Sequence, residues 1–133
     1  MDAPGARGIH GEALEALPSV FDFGLPALRE GLARLPTLES AEHYTMAELM
    51  TKVEDTTALH RCGPPGLARL RRDGVRLKQL ILQGGDYPSL LASLNDEYRD
   101  LRLTMGGVAD CMALTFALHP LHCIERYDCR RPG

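Results

Sequence analysis

The chain has 133 residues, 44% of them hydrophobic and 25% charged, which suits one globular domain that needs no disulfide or metal framework to stay folded. A net charge of -3, an aromatic content of 5% and the absence of Trp argue against nucleic-acid binding, whether through a basic surface or through base stacking. No apolar run approaches the ~20 residues of a membrane span, and the start MDAPGARGIHGEALEALP lacks the basic-then-apolar order of a signal peptide. With Cys62, Cys111, Cys123 and Cys129 irregularly spaced, the expectation is a cytoplasmic protein with free thiols.

Helical spacing recurs along most of the chain. Leu25, Leu28, Leu32 and Leu35 step by three and four and predict a short helix starting near Pro26. Leu38, Met46, Leu49, Met50 and Val53 predict a second. Pro64-Pro65-Gly66 interrupts; Leu67, Leu70, Leu77, Leu80 and Ile81 then predict a third, weakened at Gly74 and ended by Gly84-Gly85. Leu90, Leu91, Leu94, Tyr98 and Leu101, after Pro88-Ser89, predict a fourth. The fifth segment, VADCMALTFAL at 108–118, is apolar on every side apart from Asp110 and Thr115, and is expected at the buried centre of the fold. No alternating strand pattern competes. The expectation is an all-α, compact bundle of about five helices, a single domain over 1–133 with a buried central C-terminal helix.

Charge is unevenly distributed. Residues 1–58 balance to -6, residues 59–82 to +5 and residues 83–133 to -2. The cationic stretch, with Arg61, Arg69, Arg71, Arg72, Arg76 and Lys78, suits either a small polyanion such as a nucleotide or phosphate ester, or a solvated helix face.

Three stretches carry candidate chemistry. EDTTALHRCGPPG at 54–66 gathers Asp55, Thr56, Thr57, His60 and Arg61 between two helices. Asp55 can bind a divalent cation or act as a base, His60 can move a proton and Arg61 can grip phosphate oxygens. The alternative is a helix-ending loop in which Asp55 or Thr57 caps the next element and Arg61 is a surface residue. In TMGGVAD at 104–110, Gly106-Gly107 lets a phosphate approach helix N-terminal amides, and Asp110 either answers the helix dipole or pairs with a cation. Arg7, His10 and Glu12 lie in RGIHGEALEALPSV at 7–20, a weaker signal. His119, His122, Cys123 and Cys129 fit no usual zinc spacing, and Pro120 is expected to break the helix between the histidines.

Taken in order, RGIHGEALEALPSV, LPALREGL at 25–32, EDTTALHRCGPPGL at 54–67 and TMGGVADCMALTFAL at 104–118 resemble the later part of the triphosphoribosyl-dephospho-CoA synthase family. That family shows an RGE…PSV stretch, a PALR helix, a DTN…RGG…G loop and an SPGG-x-AD helix. Gly63, Gly66, Gly107, Ala109 and Asp110 match its pattern; Thr57 stands for Asn, Cys62 for Gly and Thr104-Met105 for Ser-Pro. The family's PGLVDR-like and TGGVNTHKG-like segments have no counterpart here.

The resemblance implies an all-helical transferase that binds ATP and 3'-dephospho-CoA and uses Mg²⁺ with the ATP. A ribose hydroxyl of the CoA attacks the anomeric carbon of ATP's ribose, adenine leaves, and the product becomes the prosthetic group of the acyl carrier subunit of citrate lyase or malonate decarboxylase. On this reading Asp55, His60 and Asp110 are catalytic, and Asp55 and Asp110 are the metal ligands. Arg7, Glu12, Thr56, Thr57, Arg61, Gly63, Gly106 and Gly107 bind substrate. The missing segments imply a truncated or split form, with a complementary N-terminal subunit or a second copy as partner. The competing reading is a noncatalytic helical nucleotide- or CoA-binding or interaction subunit.

Overall fold

The computed structural model describes residues 16–130, with side chains to residue 119. After a π-helical turn, Val20–Gly24, come α1 (Leu25–Arg34), α2 (Leu38–Lys52), α3 (Thr56–Leu82), α4 (Tyr87–Leu101) and α5 (Gly106–Arg130). No strand occurs among the described residues, in agreement with the all-α reading, and no described helix is long and apolar enough to cross a membrane. The boundaries have local causes. Pro26 and Pro88 sit in the first turns of α1 and α4, where a missing N–H costs nothing. Thr37 and Ser40 form a reciprocal capping box at the start of α2, and Gly84, at φ 72°, turns the chain out of α3.

α2 holds the centre, packed against α1, α3, α5 and the π-helical turn. It buries Ser40, Ala41, Tyr44, Thr45, Ala47, Leu49 and Met50, so its faces are built largely of small residues. Neighbouring helices use that smallness to come close. A β-carbon on Gly31 of α1 would lie 3.0 Å from Ala41 Cα, and one on Gly74 of α3 only 2.8 Å from the Ala47 carbonyl oxygen. Gly74 therefore marks a helix crossing and not a weak point.

Three expectations are corrected here. Residues 106–118 are not enclosed on every side: α5 buries Val108, Cys111 and Thr115 but exposes Ala109, Asp110, Ala113 and Ala117. Alanine is apolar yet small enough to face water at little cost, so an all-apolar run need not be central. Residues 56–62 are also helical where a loop was expected. Asp55 caps them, and the break falls at Gly63 (φ 69°, ψ -168°), just before Pro64-Pro65. The helix also continues past Pro120 to Arg130, where a break was expected.

The hydroxyl of Tyr98 on α4 donates to Asp73 Oδ2 on α3 at 2.8 Å, and Arg69 Nε donates to the same oxygen at 2.6 Å. This buried triad ties α4 to α3. The Gly74 crossing yields a test. Gly74→Ala should destabilise the protein by roughly 1–3 kcal/mol, because overpacking against backbone outweighs the gain in helix propensity; a urea melt with an unchanged or raised midpoint would refute the crossing.

Candidate functional site

A short extended link, residues 53–55, joins α2 to α3, and Asp55 takes the N-cap of α3 with extended backbone. Its side chain is wholly buried. Oδ1 accepts from Thr57 N at 3.0 Å, Ala58 N at 3.1 Å and the Thr57 hydroxyl at 2.7 Å, while Oδ2 accepts from Val108 N at 2.9 Å. Thr57 Oγ1 in turn accepts from Gly106 N at 2.7 Å. One carboxylate thus satisfies the unpaired amides at the start of both α3 and α5, where helix dipoles favour negative charge.

The glycine pair is explained by the same contact. A β-carbon on Gly107 would sit 3.1 Å from Asp55 Cγ, and one on Gly106 would sit 3.0 Å from Thr57 Cγ2. The Gly107 amide, between two amides that are engaged, bonds to neither Asp55 nor Thr57.

The two helix starts enclose an open recess of about 190 Å³, whose lining includes Ser19, Glu54, Thr56, Thr57, Asp110 and Cys111. Glu54, Thr56 and Asp110 are exposed. No Lys or Arg lines it among the described residues, so two rim carboxylates and buried Asp55 make the recess acidic. Such a field supports a cation or a centre that gains positive charge. Burial, with help from Asp110 and Asp55, pushes the Cys111 thiol up to about 11, which keeps it protonated and non-nucleophilic near neutrality.

Of the residues singled out in the sequence, Asp55, Thr56, Thr57, Gly106, Gly107 and Asp110 come together here. His60 and Arg61 are exposed on the turns that follow and do not line the recess. Gly63 forms the break in α3. Arg7 and Glu12 lie outside the described residues, as do the side chains of His122, Cys123 and Cys129. Glu54, Ser19 and Cys111 were not singled out. Glu54 directly precedes Asp55, and Ser19 belongs to the PSV stretch, so both signals were adjacent in sequence.

The described residues of this arrangement do not fit a resident metal. Among the described residues no group of three or more His, Cys, Asp or Glu is placed to hold an ion, and both Asp55 oxygens already accept amide or hydroxyl protons.

Fold and recess together define an all-helical protein whose two capped helix starts share one acidic site. Residues 2–128 match the family described as ATP:dephospho-CoA triphosphoribosyl transferase, and the chain belongs to that family. A protein named as a probable 2-(5''-triphosphoribosyl)-3'-dephosphocoenzyme-A synthase from Streptococcus equi subsp. zooepidemicus is 33% identical over 111 residues, covering 84% of this chain and 37% of the relative. Proteins of the same name from Azotobacter vinelandii (35% identical; 88% of this chain, 40% of the relative) and Malonomonas rubra (30%; 92% and 39%) also match. The chain spans about two-fifths of the length of these curated relatives. No solved structure matches it.

Two outcomes test the site. Asp55→Ala should cost at least about 2 kcal/mol of stability, because it leaves two helix starts uncapped, and amide exchange at Ala58 and Val108 should accelerate; retained protection at Val108 would show that the bridge between helices is not formed. Cys111 supplies the second. Its thiol lies above the ordinary 9.0 in the folded state, so the stability it contributes is complete below pH 9 and is lost as pH rises towards about 11. Denaturation midpoints should fall across that window and fall less in Cys111→Ala; equal slopes would refute the assignment.

Proposed function

We propose that this chain supplies part of the active site for transfer of the triphosphoribosyl group of ATP to 3'-dephospho-CoA. The observation that carries this reading is the meeting of two family motifs: EDTT at 54–57 and GG-x-AD at 106–110 are about fifty residues apart yet share one recess, joined through Asp55. In the reaction a CoA ribose hydroxyl bonds to the anomeric carbon of ATP, the bond to adenine breaks, and the triphosphate stays on the transferred ribose. The hydroxyl loses a proton and departing adenine gains one.

The acidic recess suits the positive charge that develops at the anomeric carbon as adenine leaves. Asp110, exposed on the rim, is the proposed base for the hydroxyl proton, with Glu54 alongside. Asp55 acts as a positioning residue: its oxygens face amides, and its removal would displace Thr57 and Gly107 together. Thr56, Thr57 and the Gly107 amide meet the ribose or its first phosphate, while His60 and Arg61 approach the outer phosphates from the next turn. Arg7, Glu12, Gly63 and Gly106 keep their proposed substrate-binding roles. Mg²⁺ would enter with ATP, bound by phosphate oxygens.

A recess of about 190 Å³ is smaller than the roughly 300–1,000 Å³ of typical ligand sites. We propose that the remaining length seen in the relatives, as a complementary polypeptide, or a second copy of this chain closes it along the exposed Ala109, Ala113 and Ala117 face. The free thiols of Cys62 and Cys111 support a cytoplasmic setting.

The test is release of adenine from ATP and Mg²⁺ that requires dephospho-CoA, followed chromatographically with the completing polypeptide present. Asp110→Asn should lower kcat by about a hundredfold or more with an unchanged melting curve, since Asp110 is exposed. An unchanged kcat would remove Asp110 from the chemistry, and release that ignores dephospho-CoA would refute the transfer.

A further inference from the structure

α3 carries a second cavity that shares no lining residue with the acidic recess. It is an open cleft of about 570 Å³ just past the Gly63 break, within the size range of small-molecule sites. Cys62, Pro65, Ala68 and Leu103 give it an apolar lining, and Arg69 and Arg72 are its charged groups. We propose that this cleft binds a phosphate ester or phosphoanhydride carried on an apolar moiety. The identity of the ligands, though not the site itself, rests on the transfer reaction proposed above, because both of its substrates are of this class.

The two arginines differ in a way that suits an anion site. Arg69 is fixed: Nε donates to buried Asp73 at 2.6 Å, Nη2 reaches Glu97 at 3.2 Å, and the guanidinium lies 5.7 Å from the Tyr98 ring centroid. Arg72 is not. Its side chain is 67% exposed, and its Nε stands 4.0 Å from Asp73 Oδ1, too far for a hydrogen bond. Arg76, one turn on, is 3.9 Å from the same oxygen. Asp73 Oδ1 is buried without any hydrogen-bond partner. The carboxylate is thus hydrogen-bonded to Arg69 and Tyr98 through its other oxygen, and Arg72, which lines the cleft and is only ion-paired to Oδ1, keeps its fork available for bidentate phosphate contact. Among its lining residues the cleft has Arg69 and Arg72 and no carboxylate, whereas the recess at the start of α3 is acidic.

A backbone irregularity marks the opposite side of the cleft. Arg102 follows α4 at φ 55°, the one non-glycine residue with positive φ among those described. An L-residue there is uncommon and costs roughly 1–2 kcal/mol, and glycine is usual at a helix end of this kind. Its neighbours Leu101 and Leu103 both line the cleft, so the left-handed turn places two leucines on one cavity and an exposed arginine between them in sequence.

Calorimetric titration of the chain with dephospho-CoA, 4'-phosphopantetheine, ATP and inorganic pyrophosphate, in EDTA to exclude metal-bridged contacts, tests the assignment. Dephospho-CoA should bind, and both Arg72→Glu, at an exposed position, and Ala68→Trp, which fills the cleft, should weaken it at least about tenfold. Arg34→Glu, on an exposed face of α1, should not. Tighter binding of 4'-phosphopantetheine than of ATP identifies the CoA substrate as the occupant, and the reverse order identifies the nucleotide; either supports the site. No binding by the wild-type chain, or equal affinity in wild type, Arg72→Glu and Ala68→Trp, overturns it, as does pyrophosphate binding as tightly as the organic esters. Failure of Asp110→Asn to slow adenine release would sink the reading of the recess while leaving this titration standing.

Discussion

The structure depends on a single buried carboxylate that answers two helices at once. An ionised group without water must be compensated completely, and Asp55 meets that requirement with three backbone amides and one hydroxyl drawn from both sides of the recess. Because the donors belong to the first turns of α3 and α5, compensation is possible only when those turns converge. The recess follows from this convergence. Thr56 and Thr57 come after one cap and Gly107 and Asp110 lie in the first turn of the other helix, so capping geometry places them on a common wall. Stability and site geometry are consequently coupled at Asp55, and its loss would be felt in both.

Close approach is the second constraint, and it acts through α2. Gly31 and Gly74 press on Ala41 and Ala47 from different helices, which leaves no space for side chains on either partner. At the π-helical turn, a β-carbon on Gly24 would collide with the buried Thr115 hydroxyl of α5. Dense packing of this kind transmits small displacements. The link from α2 into Asp55 begins at Val53, which is itself buried, so the central helix and the cap are parts of one packed unit.

These two constraints explain what sequence could and could not reveal. Helix starts at Pro26 and Pro88 and the stop at Gly84 were legible because proline and glycine act on their own backbone. The centre was not: α2 uses Ser40, Ala41, Thr45 and Ala47, which carry little hydrophobic periodicity, while Ala109, Ala113 and Ala117 made α5 read as more deeply buried than it is. At 54–66 the proline pair suggested a loop, although the preceding residues could form a helical turn once Asp55 capped them. Capping was one of two readings open for Asp55, but its second helix was out of reach, since no local pattern links residue 55 to the amide of residue 108.

α3 finally shows how one helix keeps two electrostatic environments apart. Asp55 at its start and Asp73 in its middle are both fully buried, yet their oxygens are treated differently. Every bond to Asp55 comes from an amide or from a short side chain beside it, so its charge is held by backbone and has little freedom to redistribute. Asp73 is held by long side chains from one oxygen only, with the other not hydrogen-bonded and near two exposed guanidinium groups. A fixed carboxylate suits a site where geometry must not change, and an adaptable cluster suits a surface that must accept another anion. The break at Gly63 lies between them and lets the two stretches of α3 follow different axes. The net charge of -3 therefore conceals a division along a single helix: an acidic end suited to a developing cation and a cationic flank suited to phosphate.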